Sequence, residues 1–399
     1  MAVIVQKYGG TSVGDAERIL AVARRVARSR LAGNDLVVVV SAMGHTTDQF
    51  VDLSRQVSPN DHPREMDMLL TAGERISMAL LAMAIRDLGV EAVSLTGSQA
   101  GIITSTVHGR AEIEEVRAFR VKEHLDKGDV VIVAGFQGVS ATSKEITTLG
   151  RGGSDATAVA MASYLQADAC EIYTDVDGVF TADPRIVPEA RKLDEVWFEE
   201  MAELAAAGAG VLMLRSVEMG RRWGVPLHVR SSFHDGEGTW VREGTGGRAG
   251  LAGVAHDADQ ALVGLAGGTD VGAVLSALEA AGIGTGTIGT GPAGVGAGVR
   301  RDQAATAAAA LAALAADEGL GAVTLEEEVG KVSVVGAALR ARPEAEGEMA
   351  GALGRGSIKV LLTASSPLRI SCLVPGARLD EAVRLLHLAF FSPESEEAS

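Results

Sequence analysis

The chain reads as an α/β protein with a mostly parallel sheet covered on both faces, followed by two small α+β modules. Three observations lead there. Short β-branched runs alternate with amphipathic helical stretches up to about residue 232. The runs Val3–Val5, Leu36–Val40 and Val130–Ala134 are apolar throughout instead of alternating, the pattern of strands buried on both faces. A strand–helix–strand pattern then occurs twice after residue 250, the mark of a repeated small unit.

The expected strands are Val3–Val5, Leu36–Val40, Ala92–Leu95, Val130–Ala134, Cys170–Thr174 and Leu227–Arg230. Between them Ala16–Leu31, Met66–Leu88, Glu112–Asp126, Ser154–Leu165 and Phe198–Ala207 carry apolar residues at helical spacing. Gly33 follows the first helix as a C-cap. Glycine-rich sequence within His234–Gly250 marks a boundary. Beyond it Leu262–Leu265, a helix Val271–Ala281 and Gly282-Ile283 are echoed by Val332–Gly336, a helix Glu344–Leu353 and Ser357-Ile358. Ala304–Ala316 and Leu379–Phe391 are further helices, and Ser392–Ser399 is a polar, acidic tail expected to fray. The expected domains are therefore 1–240, 250–325 and 326–399.

With 399 residues the chain can hold two or three cores. Lys and Arg number 36 against 52 Asp and Glu, so the net charge is 36 − 52 = −16. That excludes a general nucleic-acid or anionic-membrane binder, which needs a basic face. No uninterrupted apolar run is long enough to cross a bilayer. The N-terminus lacks a basic region and a cleavage site, so no signal peptide is read and a cytoplasmic location is expected. Cys170 and Cys372 sit in separate strand-like segments, which argues against a disulfide or zinc site.

Chemistry concentrates at strand ends, where ligands bind in open α/β sheets. Thr147-Thr148-Leu149-Gly150-Arg151-Gly152-Gly153-Ser154-Asp155 precedes an apolar helix. Free N–H groups there stabilise anions, and a guanidinium clamps a carboxylate. Taken alone it is an ordinary capped turn. Lys7-Tyr8-Gly9-Gly10-Thr11-Ser12 follows the first strand and suits a phosphate cradle, although it lacks Walker A spacing. Ser41 and Thr47 follow the second strand, and Glu74 is a lone acid in an apolar helix. Each has a bland alternative, as a cap or as a partner of Arg75. Tyr173 to Arg185 is rich in turn formers and suits a nucleotide.

Taken together, these segments and Gly135-Phe136-Gln137-Gly138 resemble the aspartate kinases of the amino-acid kinase fold, nearly without gaps from residue 3 to about 233. The repeat after residue 250 resembles their two ACT modules, the first diverged and shortened. The resemblance implies an αβα sandwich in which ATP phosphorylates the β-carboxylate of L-aspartate. It implies that Arg151 holds the α-carboxylate and Glu74 the ammonium, with Ser41, Thr47, Gly152, Gly153 and Ser154 lining the substrate pocket. Lys7 would stabilise the moving phosphoryl group and Asp155 would order the Lys7 and Mg²⁺ region. Tyr8, Gly9, Gly10, Thr174, Asp175, Phe180, Asp183 and Arg185 would form the nucleotide side. Mg²⁺ would arrive with ATP, without a dedicated ligand cage, and the ACT modules would pair subunits into a homo-oligomer.

Departures from the family pattern matter too. Gly210 stands where the family has a phosphate-reaching Lys, a loss worth about 1–3 kcal/mol. Phe180 replaces a Tyr, and His45 stands where an acid is common. Gly284 to Pro292 replaces the effector-gripping loop of the first ACT module, so weak or absent feedback inhibition is expected. Two alternatives stay open: a kinase for another acidic amino acid, hinted at by His45, and a catalytically weak regulatory or assembly subunit, hinted at by Gly210 and Phe180.

Overall fold

The computed structural model describes residues 2–244, 250–267, 270–291 and 294–392. The chain forms two compact units: residues 1–179, 192–201 and 211–244 make the first, and 180–191, 202–210 and 245–399 the second. Two short stretches of the expected first domain thus group with the C-terminal part.

The first unit is built on an eight-stranded sheet in the order Glu195–Trp197, Thr239–Arg242, Leu227–Ser231, Ala169–Thr174, Val3–Tyr8, Asp35–Val40, Val130–Ala134, Ala92–Leu95. All neighbours are parallel except Leu227–Ser231 against Thr239–Arg242. Alternation sends Tyr8, Val38, Val40, Ile132 and Ala134 into one core with the helices Ala16–Leu31 and Pro63–Arg86. Lys7 and Val5 lie on the opposite face of their strand. The helix Gly153–Leu165 is buried over its first ten residues, which fits its apolar character on every side. Pro63–Arg86 is the one helix among the described residues long and apolar enough to cross a membrane. Leu81 and Ile85 are fully buried in the core, so it packs as an interior helix.

A second sheet in this unit joins Ile113–Val116, Ile102–Thr104, Gln137–Ser140 and Ile146–Thr148. It corrects the helix expected over Glu112–Asp126, of which only Phe119–Asp126 is helical. Pairing of Val116 with Ile102 and Glu115 with Ile103 outweighs the local helical spacing. The helix Thr46–Val57, not expected from the sequence, has no buried residue. Its packing signal was accordingly weak.

The second unit carries one antiparallel sheet in the order Thr287–Gly291, Gly294–Arg300, Gly253–Leu265, Val323–Val335, Arg369–Pro375, Leu362–Ser366. Both repeats share it through the long central pair, and Val323–Val335 runs across the boundary read at 325/326. Ala261, Val263 and Val299 pack beneath the helices Val271–Ala280 and Ala304–Glu318. Val332, Cys372 and Val374 pack with Ala345–Arg355 and Leu379–Phe391. Ile283 and Ile358, read as strand residues, are buried plugs after their helices; the strands start at Thr287 and Leu362. The segment 180–191 belongs to this core, with Ala182 and Val187 buried in it and Thr181 Oγ1 2.9 Å from His387 Nε2. The tail beyond Ser392 and Pro292 lie outside the described residues.

Candidate active site

The loops after the parallel strands Val3–Tyr8 and Asp35–Val40, the turn after Ile146–Thr148 and the helix Pro63–Arg86 surround a cavity of about 680 Å³. Its lining includes Lys7, Gly10, Ser41, Thr47, Glu74, Arg151, Gly152, Gly153, Ser154 and Asp155. Ten of the expected site residues therefore meet in one space within the first unit. The guanidinium-bearing turn and Lys7 share that space despite being far apart in sequence.

Local structure explains the convergence. The Gly44 N–H donates to the Gly10 carbonyl at 3.0 Å, and the Ser41 N–H to the Tyr8 carbonyl at 3.1 Å, tying the first two loops together. The long helix then presses on the second loop: a Cβ at Gly73 would come within 2.7 Å of the Ala42 Cβ. Only glycine allows that approach, and it brings the next residue, Glu74, to the cavity. Glu74 is 3 % exposed. One of its oxygens accepts from the Ala42 N–H at 3.2 Å, while Oε2 is buried without a hydrogen-bond partner. Burial pushes its carboxyl up to about 7, against the lowering effect of backbone hydrogen bonds. Arg75, once a candidate partner, does not pair with it.

Lys7 Nζ lies 2.6 Å from Asp155 Oδ1, both side chains being largely buried. The helix here begins at Gly153 with Gly152 as its N-cap, so Ser154 and Asp155 sit in the first turn and are not caps. That puts Asp155 at the positive end of the helix dipole. No described acid pairs with Arg151.

The remaining expected residues lie elsewhere. The ring of Tyr8 is fully buried, stacked on Tyr173 at 4.6 Å, so its side chain belongs to the core and not to a nucleotide contact. The Gly9 N–H donates to the Tyr173 carbonyl at 3.3 Å. Thr174 and Asp175 close the strand Ala169–Thr174, where Thr174 Oγ1 donates to Asp175 Oδ1 at 3.0 Å. Phe180, Asp183 and Arg185 belong to the second unit, with Asp183 and Arg185 paired at 2.7 Å. Their part in nucleotide binding rests on the resemblance alone. At Gly210 an added Cβ would meet nothing within 4 Å. His45 is 87 % exposed, faces Asp48 at 3.5 Å, and does not line the cavity.

Residues given no role by sequence reasoning also line it, among them Asp48, Asp67, His108 and Arg110, together with Phe136 of the Gly135–Gly138 motif. Phe136 adopts φ +67°, a costly backbone for an aromatic residue. Its N–H donates to Thr157 Oγ1 at 3.2 Å, which fixes that turn. Asp67 and His108 carry no local sequence signal.

Comparison with known proteins identifies the family. A model of the amino acid kinase family matches residues 2–231, and an ACT domain model matches 332–390. The chain is 52% identical to an aspartokinase of Mycolicibacterium smegmatis, covering 100% of this chain and 98% of the relative. It is 44% identical to an aspartokinase of Thermus thermophilus, covering 98% and 99%. Among solved structures, Escherichia coli aspartokinase III in complex with aspartate and ADP superimposes with a TM-score of 0.82 at 27% identity, covering 98% of this chain and 100% of that one. With matches of that extent around a cavity so assembled, the chain belongs to the amino acid kinase family, in its aspartokinase branch with a C-terminal ACT domain.

Proposed function

We propose that this enzyme transfers the terminal phosphoryl group of ATP to the β-carboxylate of L-aspartate, giving 4-phospho-L-aspartate and ADP. One observation carries the reading: a buried carboxylate, Glu74, has an oxygen without a donor in a cavity also lined by Arg151, which has no ion-pair partner among the described residues. An orphaned buried acceptor is costly, and the ammonium of an amino acid would satisfy it. Arg151 would take the α-carboxylate through two parallel hydrogen bonds. An amino acid held by both charges has its side chain directed by the remaining walls, where Ser41, Thr47 and Ser154 offer hydroxyls.

The chemistry asks little else of the protein. An oxygen of the β-carboxylate, already anionic, attacks the γ-phosphorus as the bond to the β–γ bridging oxygen breaks. ADP leaves with that electron pair, and no proton need move. The rate then comes from positioning and charge neutralisation. Lys7 supplies a cation at the cavity, and Asp155 orients it. A buried carboxylate beside a lysine at a helix start also suits a metal-bound phosphate, so Asp155 would face Mg²⁺. When bound with ATP, Mg²⁺ would neutralise phosphate charge. Gly9 and Gly10, with Thr174 and Asp175, would form the nucleotide side within the first unit.

Two finer statements belong to the same reading. The product would enter synthesis of lysine, threonine and methionine, with the C-terminal modules pairing subunits. Feedback inhibition would be weak or absent, because Gly284 to Gly291 offers glycine and threonine where effector-gripping side chains would stand. The reading is tested by a hydroxamate assay with ATP, Mg²⁺ and a panel of acidic amino acids. Turnover on aspartate supports it; turnover only on another acid, or none at all, refutes it.

A further inference from the structure

We infer that Arg110 is a second substrate guanidinium, receiving the side-chain carboxylate, and that buried Asp67 is the residue that positions it. The inference rests on the function proposed above and deepens it toward substrate choice.

The turn carrying Arg110 is fastened to the loop that leads to Arg151. Asp67, on the long helix Pro63–Arg86, is 0 % exposed. Its carboxylate accepts from the Gly109 N–H at 3.1 Å and from Thr148 Oγ1 at 2.6 Å, and lies 2.6 Å from His108 Nδ1. One buried acid thus grips both sides of the ledge. The Ala111 N–H donates to the Thr148 carbonyl at 2.9 Å, and Arg215 Nη1 reaches the carbonyls of Ala111 and Leu149 at 3.5 and 3.4 Å. The two turns approach so closely that a Cβ at Gly150 would meet the Gly109 carbonyl oxygen at 3.2 Å, and Gly150 has φ +73°.

Arg110 and Arg151 both line the cavity, and neither has an ion-pair partner among the described residues. A substrate with one carboxylate needs one such clamp, whereas a dicarboxylic amino acid presents two. With the α-carboxylate on Arg151, Arg110 can hold one oxygen of the side-chain carboxylate and leave the other free to meet phosphorus. Asp67 acts only through the ledge: a buried carboxylate with several donors is hard to displace, so it fixes where the guanidinium hangs.

The test is steady-state kinetics on the full chain with ATP, Mg²⁺ and aspartate. Arg110→Ala should raise KM for aspartate about ten- to a hundredfold, the loss of one charged hydrogen-bonded contact, with KM for ATP unchanged. Arg110→Lys should recover part of that loss. Asp67→Asn should likewise raise KM for aspartate more than it lowers kcat, and the double variant should fall short of the product of the single effects. An unchanged KM for aspartate in Arg110→Ala overturns the inference, as does independent multiplication of the two effects. If Asp67→Asn does not fold, the exposed Arg110 variants decide alone. Absence of turnover in the wild-type chain would refute the underlying function; wild-type turnover matched by Arg110→Ala would refute only this inference.

Discussion

Glu74 takes a hydrogen bond from the Ala42 N–H at 3.2 Å through one carboxylate oxygen, and its other oxygen is buried without a donor. In the role proposed for Glu74, its charge state would govern capture of the substrate ammonium. Burial has raised the carboxyl to about 7, so acid converts Glu74 to a form that cannot hold an ammonium. KM for aspartate should therefore rise as pH falls below about 7, approaching a tenfold increase per unit. The kcat should change less, since a bound ammonium keeps the group ionised. Initial rates across pH check this, and a KM flat through neutrality would contradict it.

Replacing Glu74 by Gln separates stability from function. The folded carboxyl lies above its ordinary value of 4.5, so the wild type carries a penalty fully present above about 7 and absent below 4.5. Glu74→Gln should stabilise the free protein by roughly 1–3 kcal/mol above neutrality, with the gain vanishing in acid, while aspartate turnover is largely lost. Thermal unfolding at two pH values and one activity assay read both effects.

Lys7 should act on the chemical step. Its removal takes away a preorganised cation where charge builds up, so Lys7→Ala should lower kcat about 10²- to 10³-fold with KM for aspartate little altered. A loss confined to KM would reassign Lys7 to simple binding.

Tyr8 should matter to folding alone. Tyr8→Phe should keep KM for ATP within about twofold, because the ring is stacked in the core, whereas truncation to Ala should cost about 3–5 kcal/mol. A large rise in KM for ATP with Phe would return the hydroxyl to the nucleotide side.

Feedback is a separate enzymological question. Lysine plus threonine at millimolar concentration should leave the activity of the purified enzyme nearly unchanged. Strong inhibition would show that the glycine- and threonine-rich stretch before Pro292 still grips an effector.

Much of the fold was legible because its signals are local. The central parallel strands Asp35–Val40 and Val130–Ala134 are near-continuous apolar runs, and the helices Ala16–Leu31 and Phe198–Ala207 fall where the spacing put them. Ile113–Val116 was misread since a strand at a small sheet's edge takes its identity from a partner near residue 102, which spacing cannot reveal. The site divides along the same line. Lys7, Glu74, Arg151 and Asp155 sit in compositionally odd turns or stand alone in apolar surroundings. Asp67 and Arg110 look ordinary, and their standing depends on contacts with His108, Gly109 and Thr148 that only the folded chain makes. Tyr8 shows the converse: a residue within a telling motif whose side chain points into the core.

The antiparallel sheet of the C-terminal unit binds its two repeats to a common fate. Gly253–Leu265 is flanked on one side by its own repeat and on the other by Val323–Val335 of the next. Cutting the chain between them would bare a long row of peptide groups along each severed border, an invitation to illicit pairing with other molecules. Loops at the ends of either repeat can therefore vary freely, yet one repeat cannot be discarded without jeopardising the other.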